Sequence, residues 1–525
     1  MNSTRGRVLG QSVSSRQDEE LFRTRLAEKP VRELQIPVAK SGMRKTDFMD
    51  RPSADINLWT GSPPVTEGRL QDFVADPIAC MRQLHRDHGD LAALRESEQQ
   101  LVFIFSPELN HQVLSDSKTF QSRFFALRGP KKSALRRLTS GLLSMNGDEH
   151  KQQRRLVAAP FEKRSIGVYH ETIATLTDEM LDAWQPGSTL DLAHEMTVLM
   201  RRITSAMLFG MDQMEIALEI GEMLDPWVEV NHQLSLGAFL PTEDFMPRYE
   251  ELLALAERLE SRILDLVRVR REAGKLGSDL LSQLIRVHDQ SGEITNEQLV
   301  GHVAVLFGAA HMTSALTLGW TLFLLAQHPE VMQSLFRELV AGKYDEPVAA
   351  FDSGKGLLLD RVLRESMRVL PASSYSQRSN GAPMELGSLS LPRNTVIIFS
   401  QFMTHHRPDV FPNPESFDPD RWLTISPSPY EYLPFGAGPK LCLGSPLALV
   451  TLKTILPRIL RKYRLNAVAG SEITGRVVST MLNPIGGLPM EIFRQDGRFE
   501  SSPVSGSIHS LVDLPEAAHE RRAAA

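Results

Sequence analysis

Residues 299–326 contain no aspartate, glutamate, lysine or arginine. A chain has two ways to fold such a run: as a helix crossing a bilayer, or as a helix buried on all sides in a large core. At 1.5 Å per residue it spans about 42 Å, long enough for either. Thr295 and Gln298 form a capping box before it, and Pro329 stops it. His302, His311, Thr313, Ser314 and Thr317 speak against lipid, as does the lack of an aromatic belt at both ends. From the segment alone both readings stand.

The rest of the chain supplies a core for such a helix to sit in. Of 525 residues, 42% are hydrophobic and 23% charged, a globular composition. With 58 basic against 64 acidic residues the net charge is −6, which argues against a nucleic-acid partner. Two cysteines, Cys80 and Cys442, cannot make a disulfide framework or a four-cysteine zinc site, and they indicate a reducing compartment. Apolar residues recur with a helical period at 168–184, 192–209 and 249–271, while strand signals are confined to 101–105 and 395–400. Residues 383–441 are rich in proline and glycine and read as loops. The start resembles a transit peptide in its Arg5, Arg7 and Arg16, but Asp18, Glu19 and Glu20 follow at once.

The strongest chemical signal is at 435–444, where Cys442 ends a glycine-rich loop just before a helical run at 446–460. A thiolate there gains from the helix N-terminus and from backbone N–H groups aimed at sulfur, which lower its pKa. Gly438 and Gly444 let the backbone approach a flat, bulky ligand. Lys440 suits an acidic group on that ligand. A lone cysteine is otherwise most often a small buried apolar residue, which is the reading for Cys80.

These residues resemble the heme-binding signature of the cytochrome P-450 family, Phe-x-x-Gly-x-(Arg/His)-x-Cys-x-Gly. Phe435, Gly438, Cys442 and Gly444 match it. Lys440 replaces the usual Arg or His, which keeps the charge and loses the planar fork. The resemblance extends over about residues 56–493. It implies heme b with Cys442 as the axial iron ligand and Lys440 at a propionate, and it favours the buried reading of 299–326. Glu365 and Arg368 share a helix face; with Arg421 they resemble the family's buried Glu–Arg–Arg triad, although the pair alone would read as a surface bridge. His150 and Arg154, four apart, and Arg378, ten after Arg368, resemble propionate partners. Their competing readings are a solvated helix face and a strand-edge arginine.

On the oxygen side, residues 309–314 resemble the family's (Ala/Gly)-Gly-x-(Asp/Glu)-Thr-(Thr/Ser). Ala309 and Ala310 leave room for dioxygen, and Ala309 and Thr313 share a helix face with Leu306. Thr313, with Ser314, is the expected catalytic pair, bonding dioxygen and passing protons. The alternative is a core threonine bonding its own i−4 carbonyl. Met312 stands where the family has an acid, and a thioether cannot relay a proton. By family position the pocket is lined by Phe124, Phe125, Leu306, Ala309, Ala310, Ala372, Ser373, Asn483 and Ile485.

The expected protein is therefore mainly α with a small β-rich part, a cytochrome P-450 fold over 57–498 between a disordered leader (1–56) and a loose tail (499–525). The resemblance implies a monooxygenase that inserts one oxygen atom from O2 into a small apolar organic substrate. Electrons would come from a separate ferredoxin- or flavodoxin-type protein, for which Lys151, Arg155, Lys453, Arg458, Arg461 and Lys462 offer a basic docking face. A cytoplasmic protein without a transmembrane anchor is expected. Two rivals stand: a P-450-fold peroxygenase, isomerase or dehydratase that does not activate O2, and a catalytically silent heme- or ligand-binding protein.

Overall fold

The computed structural model describes residues 64–515 except 123–126, 128, 212–213, 238–244, 275, 278 and 343–355. The leader and the pocket candidates Phe124 and Phe125 lie outside the described residues. Helices α1 (Gly147–Val157), α2 (Lys163–Ala183), α3 (Leu192–Phe209), α4 (Met214–Gly237), α5 (Phe245–Ala273), α6 (Leu280–Ser291), α7 (Asn296–Gln327), α8 (Leu358–Val369) and α9 (Ser445–Lys462) form the body. The three helical periods read from sequence fall in α2, α3 and α5.

The uncharged run is α7. The Thr295 hydroxyl accepts the Gln298 N–H at 3.1 Å, and Gln298 Oε1 accepts the Thr295 N–H at 3.0 Å, so the capping box is complete. The helix ends at His328, because the residue before Pro329 is pushed out of the helical region. Its flanks are covered by protein. Val228 of α4 sits over Gly308, and Trp320, fully buried, donates its Nε1–H to the Leu482 carbonyl at 2.9 Å. A helix packed on nearly every side has no place for an unpaired charge, which accounts for its composition.

The main sheet has six strands in the order Val65–Glu67, Leu91–Glu96, Gln99–Ile104, Val396–Phe399, Ser376–Asn380, Phe120–Ser122. The two strands expected from sequence are neighbours in it and pair in parallel, Phe103 against Ile398. Arg378 lies on an interior strand between Ile397 and Ser122, so it is not a strand-edge residue.

The loose tail expected over 499–525 is corrected in its described part. Ile508, Leu511 and Val512 are buried, the Ile473 N–H donates to Ser505 O at 2.8 Å, and Ser416 bridges to Asp513. These apolar side chains sit in a Ser-rich stretch without a helical or strand period, so nothing in the local pattern marked them as core.

Candidate active site

The Cys442 loop is closed by the Cys442 N–H donating to Phe435 O at 2.9 Å. Gly438 has φ +69°, and a Cβ there would stand 2.1 Å from the Leu114 carbonyl oxygen, so both conformation and space require glycine. Gly444 caps α9 at its N-terminus. Cys442 is exposed, yet burial is the largest influence on its thiol; it lines a recess rather than the outer surface. Burial raises the thiol above its ordinary pKa, against the lowering by the Gly444 N–H, Arg154 and the Ser445 N–H. The lowered pKa expected from sequence is thus corrected: the helix-start donors are present, but desolvation outweighs them. Cys80 is a half-buried thiol packed on the core and pushed up to about 11 by burial and two aspartates.

Four basic side chains converge beside this loop. Burial first, then the positive charges of Lys440, Arg154 and Arg378, lower His150 to about 4. Burial, then Arg378 and Arg154, lower Lys440 to about 8. Burial lowers Arg378 to about 10 and also lowers Arg154. Lys440 Nζ donates to the Met145 carbonyl, and Arg378 donates to Gln377 O at 2.9 Å and lies over the Phe399 ring. Among the described residues no carboxylate pairs with any of the four. A partly buried basic cluster in which neighbouring positive charges depress His150 and Lys440, and with which no described carboxylate pairs, fits a ligand carrying acidic groups.

Opposite lies one stripe of α7. Leu306, Ala309, Ala310 and Thr313 are open or half-open, while Phe307, His311 and Ser314 beside them are buried. The three- and four-residue spacing puts the open residues on one face. Leu306 and Ala310 share a cavity with Phe161 and with Leu447 of α9. A Cβ on Gly444 would be about equidistant from Phe161 and Cys442 Sγ, at 3.9 and 4.0 Å. The thiol and the stripe thus border one interior region. Thr313 Oγ1 donates to the Ala309 carbonyl at 2.9 Å, the back-bonded arrangement. Ser314, expected to act with Thr313, is buried where Thr313 is half-open.

Of the pocket candidates, Ala372 and Ser373 are tied to the strand Met481–Ile485, through Leu482 N–H donating to Ala372 O at 3.0 Å and a Ser373–Met481 bridge. Asn483 turns its amide to the Met481 carbonyl, and Ile485 is exposed. The basic docking face is thinner than expected: Lys453 pairs with Asp360, Lys462 with Asp182 and Lys151 with Asp148. An open groove between α4 and α5, at Glu219, Met223, Arg258 and Arg262, lies away from these residues, and its Arg262 is paired with Glu219.

Sequence reasoning missed two buried polar links to α7. His302 meets Gln153 at 2.9 Å, and His311 lies 2.9 Å from Asp225, which also holds Arg201. The available signal was a histidine inside an uncharged run, which needs a partner wherever it is buried.

The family model described as Cytochrome P450 matches residues 68–483. A cyclooctat-9-en-7-ol 5-monooxygenase of Streptomyces melanosporofaciens is 32% identical, over 74% of this chain and 84% of that protein. A pentalenene oxygenase of Streptomyces avermitilis is 25% identical, over 81% and 94%. Among solved structures, a cyanobacterial protein with bound retinoic acid superposes with a TM-score of 0.71 at 19% identity, over 82% of this chain and 99% of that one.

Proposed function

The chain belongs to the cytochrome P-450 family of heme-thiolate monooxygenases, and from that premise we propose that it oxygenates a terpenoid-type apolar substrate at a heme held by Cys442. The observation that carries this reading is the convergence of four basic side chains, His150, Arg154, Arg378 and Lys440, with no carboxylate paired to any of them among the described residues, beside an accessible thiol. The names of the two relatives support the substrate class, since both indicate oxygenation of terpenoid skeletons.

Cys442 would be the side chain that holds the heme iron, as a thiolate kept deprotonated by the metal charge. His150, Arg154, Arg378 and Lys440 would hold the two propionates, whose negative charge would offset the positive charge gathered there. Heme bound there would supply the electron-transfer and dioxygen chemistry, with a thiolate ligand donating electron density to the iron. Ala309, small and exposed, keeps the α7 stripe open. Thr313 holds a proton at Oγ1 and exchanges its bond to the Ala309 carbonyl for one to a ligand or ordered water. The apolar Leu306 and Ala310 exclude bulk water and seat the hydrocarbon. Family members draw electrons from redox partners; a soluble ferredoxin or flavodoxin in the cytoplasm is the source proposed here, with Arg155 left exposed for docking. One observation favours a second reading. Met312 offers no acid, which suits a peroxygenase, isomerase or dehydratase.

Cys442→Ser tests the centre of the proposal. The reduced, CO-treated variant should lack the red-shifted Soret band of a thiolate ligand; a persistent band would move the ligand elsewhere. Turnover that requires both O2 and an electron donor separates the two readings, since the second requires neither together.

A further inference from the structure

We propose that His302 and Gln153 are positioning residues for the cofactor's carboxylates, an imidazole–amide brace that aims α1 at the cation cluster. The inference rests on the heme reading of Cys442 and its neighbours.

The brace has a direction. Gln153 Nε2 donates to the Glu293 carbonyl at 3.2 Å, which turns its Oε1 towards α7. His302 Nε2 lies 2.9 Å from that oxygen and has to donate, since an amide oxygen only accepts. The imidazole is therefore the Nε2–H tautomer, and its Nδ1 has no partner among the described residues. His302 has no exposure at all and Gln153 only 3%. An unpaired Nδ1 in the core is a cost that leucine would not carry. The donated bond is what sets histidine apart here. Burial lowers His302 to about 4, so its single N–H stays committed at working pH.

The start of α1 is held at Asn146, which exchanges two hydrogen bonds with Ser122, and its middle by the brace. Its buried residues are His150, Gln153 and Val157, spaced three and four apart on one face. The anchored Gln153 thus shares its face with His150 and directly precedes Arg154. Beside His302, Gly301 admits the preceding segment: a Cβ on Gly141 would stand 2.3 Å from the Gly301 oxygen. From Gly141 the chain runs through Met145, whose carbonyl receives Lys440, into α1. Two adjacent residues of α7, together with the Asn146–Ser122 bonds, therefore hold the stretch that supplies His150, Arg154 and the acceptor for Lys440.

Heme transfer from the loaded protein to excess apomyoglobin tests the brace, with the thermal midpoint of each holoprotein measured alongside. Gln153→Met and His302→Leu should release heme about tenfold faster, the scale of outer-shell effects at metal sites. His302→Gln, whose amide can donate the same bond, should stay near the wild-type rate. Gln153→Met combined with Arg154→Ala should be faster than Arg154→Ala alone by less than the tenfold of Gln153→Met, because part of the brace acts through Arg154. A wild-type rate in Gln153→Met, rates that multiply in the double variant, or no rescue by His302→Gln would each overturn the proposal. Should Gln153→Met fail to fold, the comparison of His302→Leu with His302→Gln decides. Failure of the heme reading looks different: wild type would then take up no heme, or Cys442→Ser would keep the thiolate band, and the first of these overturns both.

Discussion

Arg421 Nε lies 2.8 Å from Glu365 Oε1, across a sequence separation of 56 residues, and both side chains are buried. Arg368 grips the same carboxylate at 2.8 and 3.0 Å, and Trp422 donates to it at 2.9 Å. The guanidiniums spend their remaining donors on carbonyls of the loop before Cys442: His405 and Ser416 for Arg368, Asn413 and Ser416 for Arg421. One carboxylate thus ties α8 to the loop region that leads to the thiol.

Removing that carboxylate should be severe. Glu365→Ala leaves two buried guanidiniums uncompensated, a cost of about 3–5 kcal/mol against a typical total of about 5–15. Little heme-loaded protein should be recovered. Wild-type yield and thermal midpoint would show the triad to be dispensable.

The packed C-terminal stretch makes a second prediction. Truncation after residue 498 removes Ile508, Leu511 and Val512, each contributing about 1.5–3 kcal/mol of apolar burial. The thermal midpoint should fall clearly, and Leu511→Asp should reproduce part of the fall. An unchanged midpoint in both would mean that the packing contributes nothing.

Acid should destabilise the protein through His405. Its Nε2 accepts the Leu433 N–H at 2.7 Å, and burial, then Arg368, lowers it to about 3. The unfolded chain takes up this proton near the ordinary value of about 6.5 while the folded one does not. Stability is therefore full above about pH 6.5 and falls as the pH drops towards 3, by at most about 1.4 kcal/mol per unit for this group. Thermal midpoints at pH 7 and pH 5 should differ, and His405→Gln should narrow the gap; a gap unchanged by the substitution would remove His405 as its source.

Thr313→Ala should leave heme content and substrate affinity intact but lower the product formed per electron consumed, with hydrogen peroxide making up the difference. A positioned proton-transfer group contributes about 10²–10⁴-fold, less where water replaces it. Met312→Glu should leave coupling equal or improve it. Equal coupling in wild type and Thr313→Ala would take Thr313 out of the reaction.

The sequence by itself determined the helical body, the long uncharged α7 with its cap, the cysteine loop and the spacing of Glu365 and Arg368. Each depends on residues near one another in the chain, where period, capping and glycine conformation act locally. It could not show that Ser314 is buried beside the half-open Thr313, that desolvation outweighs the helix-start donors at Cys442, or that Lys453 is already paired with Asp360. Nor did it show the packing of Ile508, Leu511 and Val512, or the bond between His302 and Gln153, 149 residues apart. Only the tertiary structure decided these, because burial and hydrogen-bond partners are set by which distant segments come to lie against a residue, and a desolvation cost has no local signature in the chain.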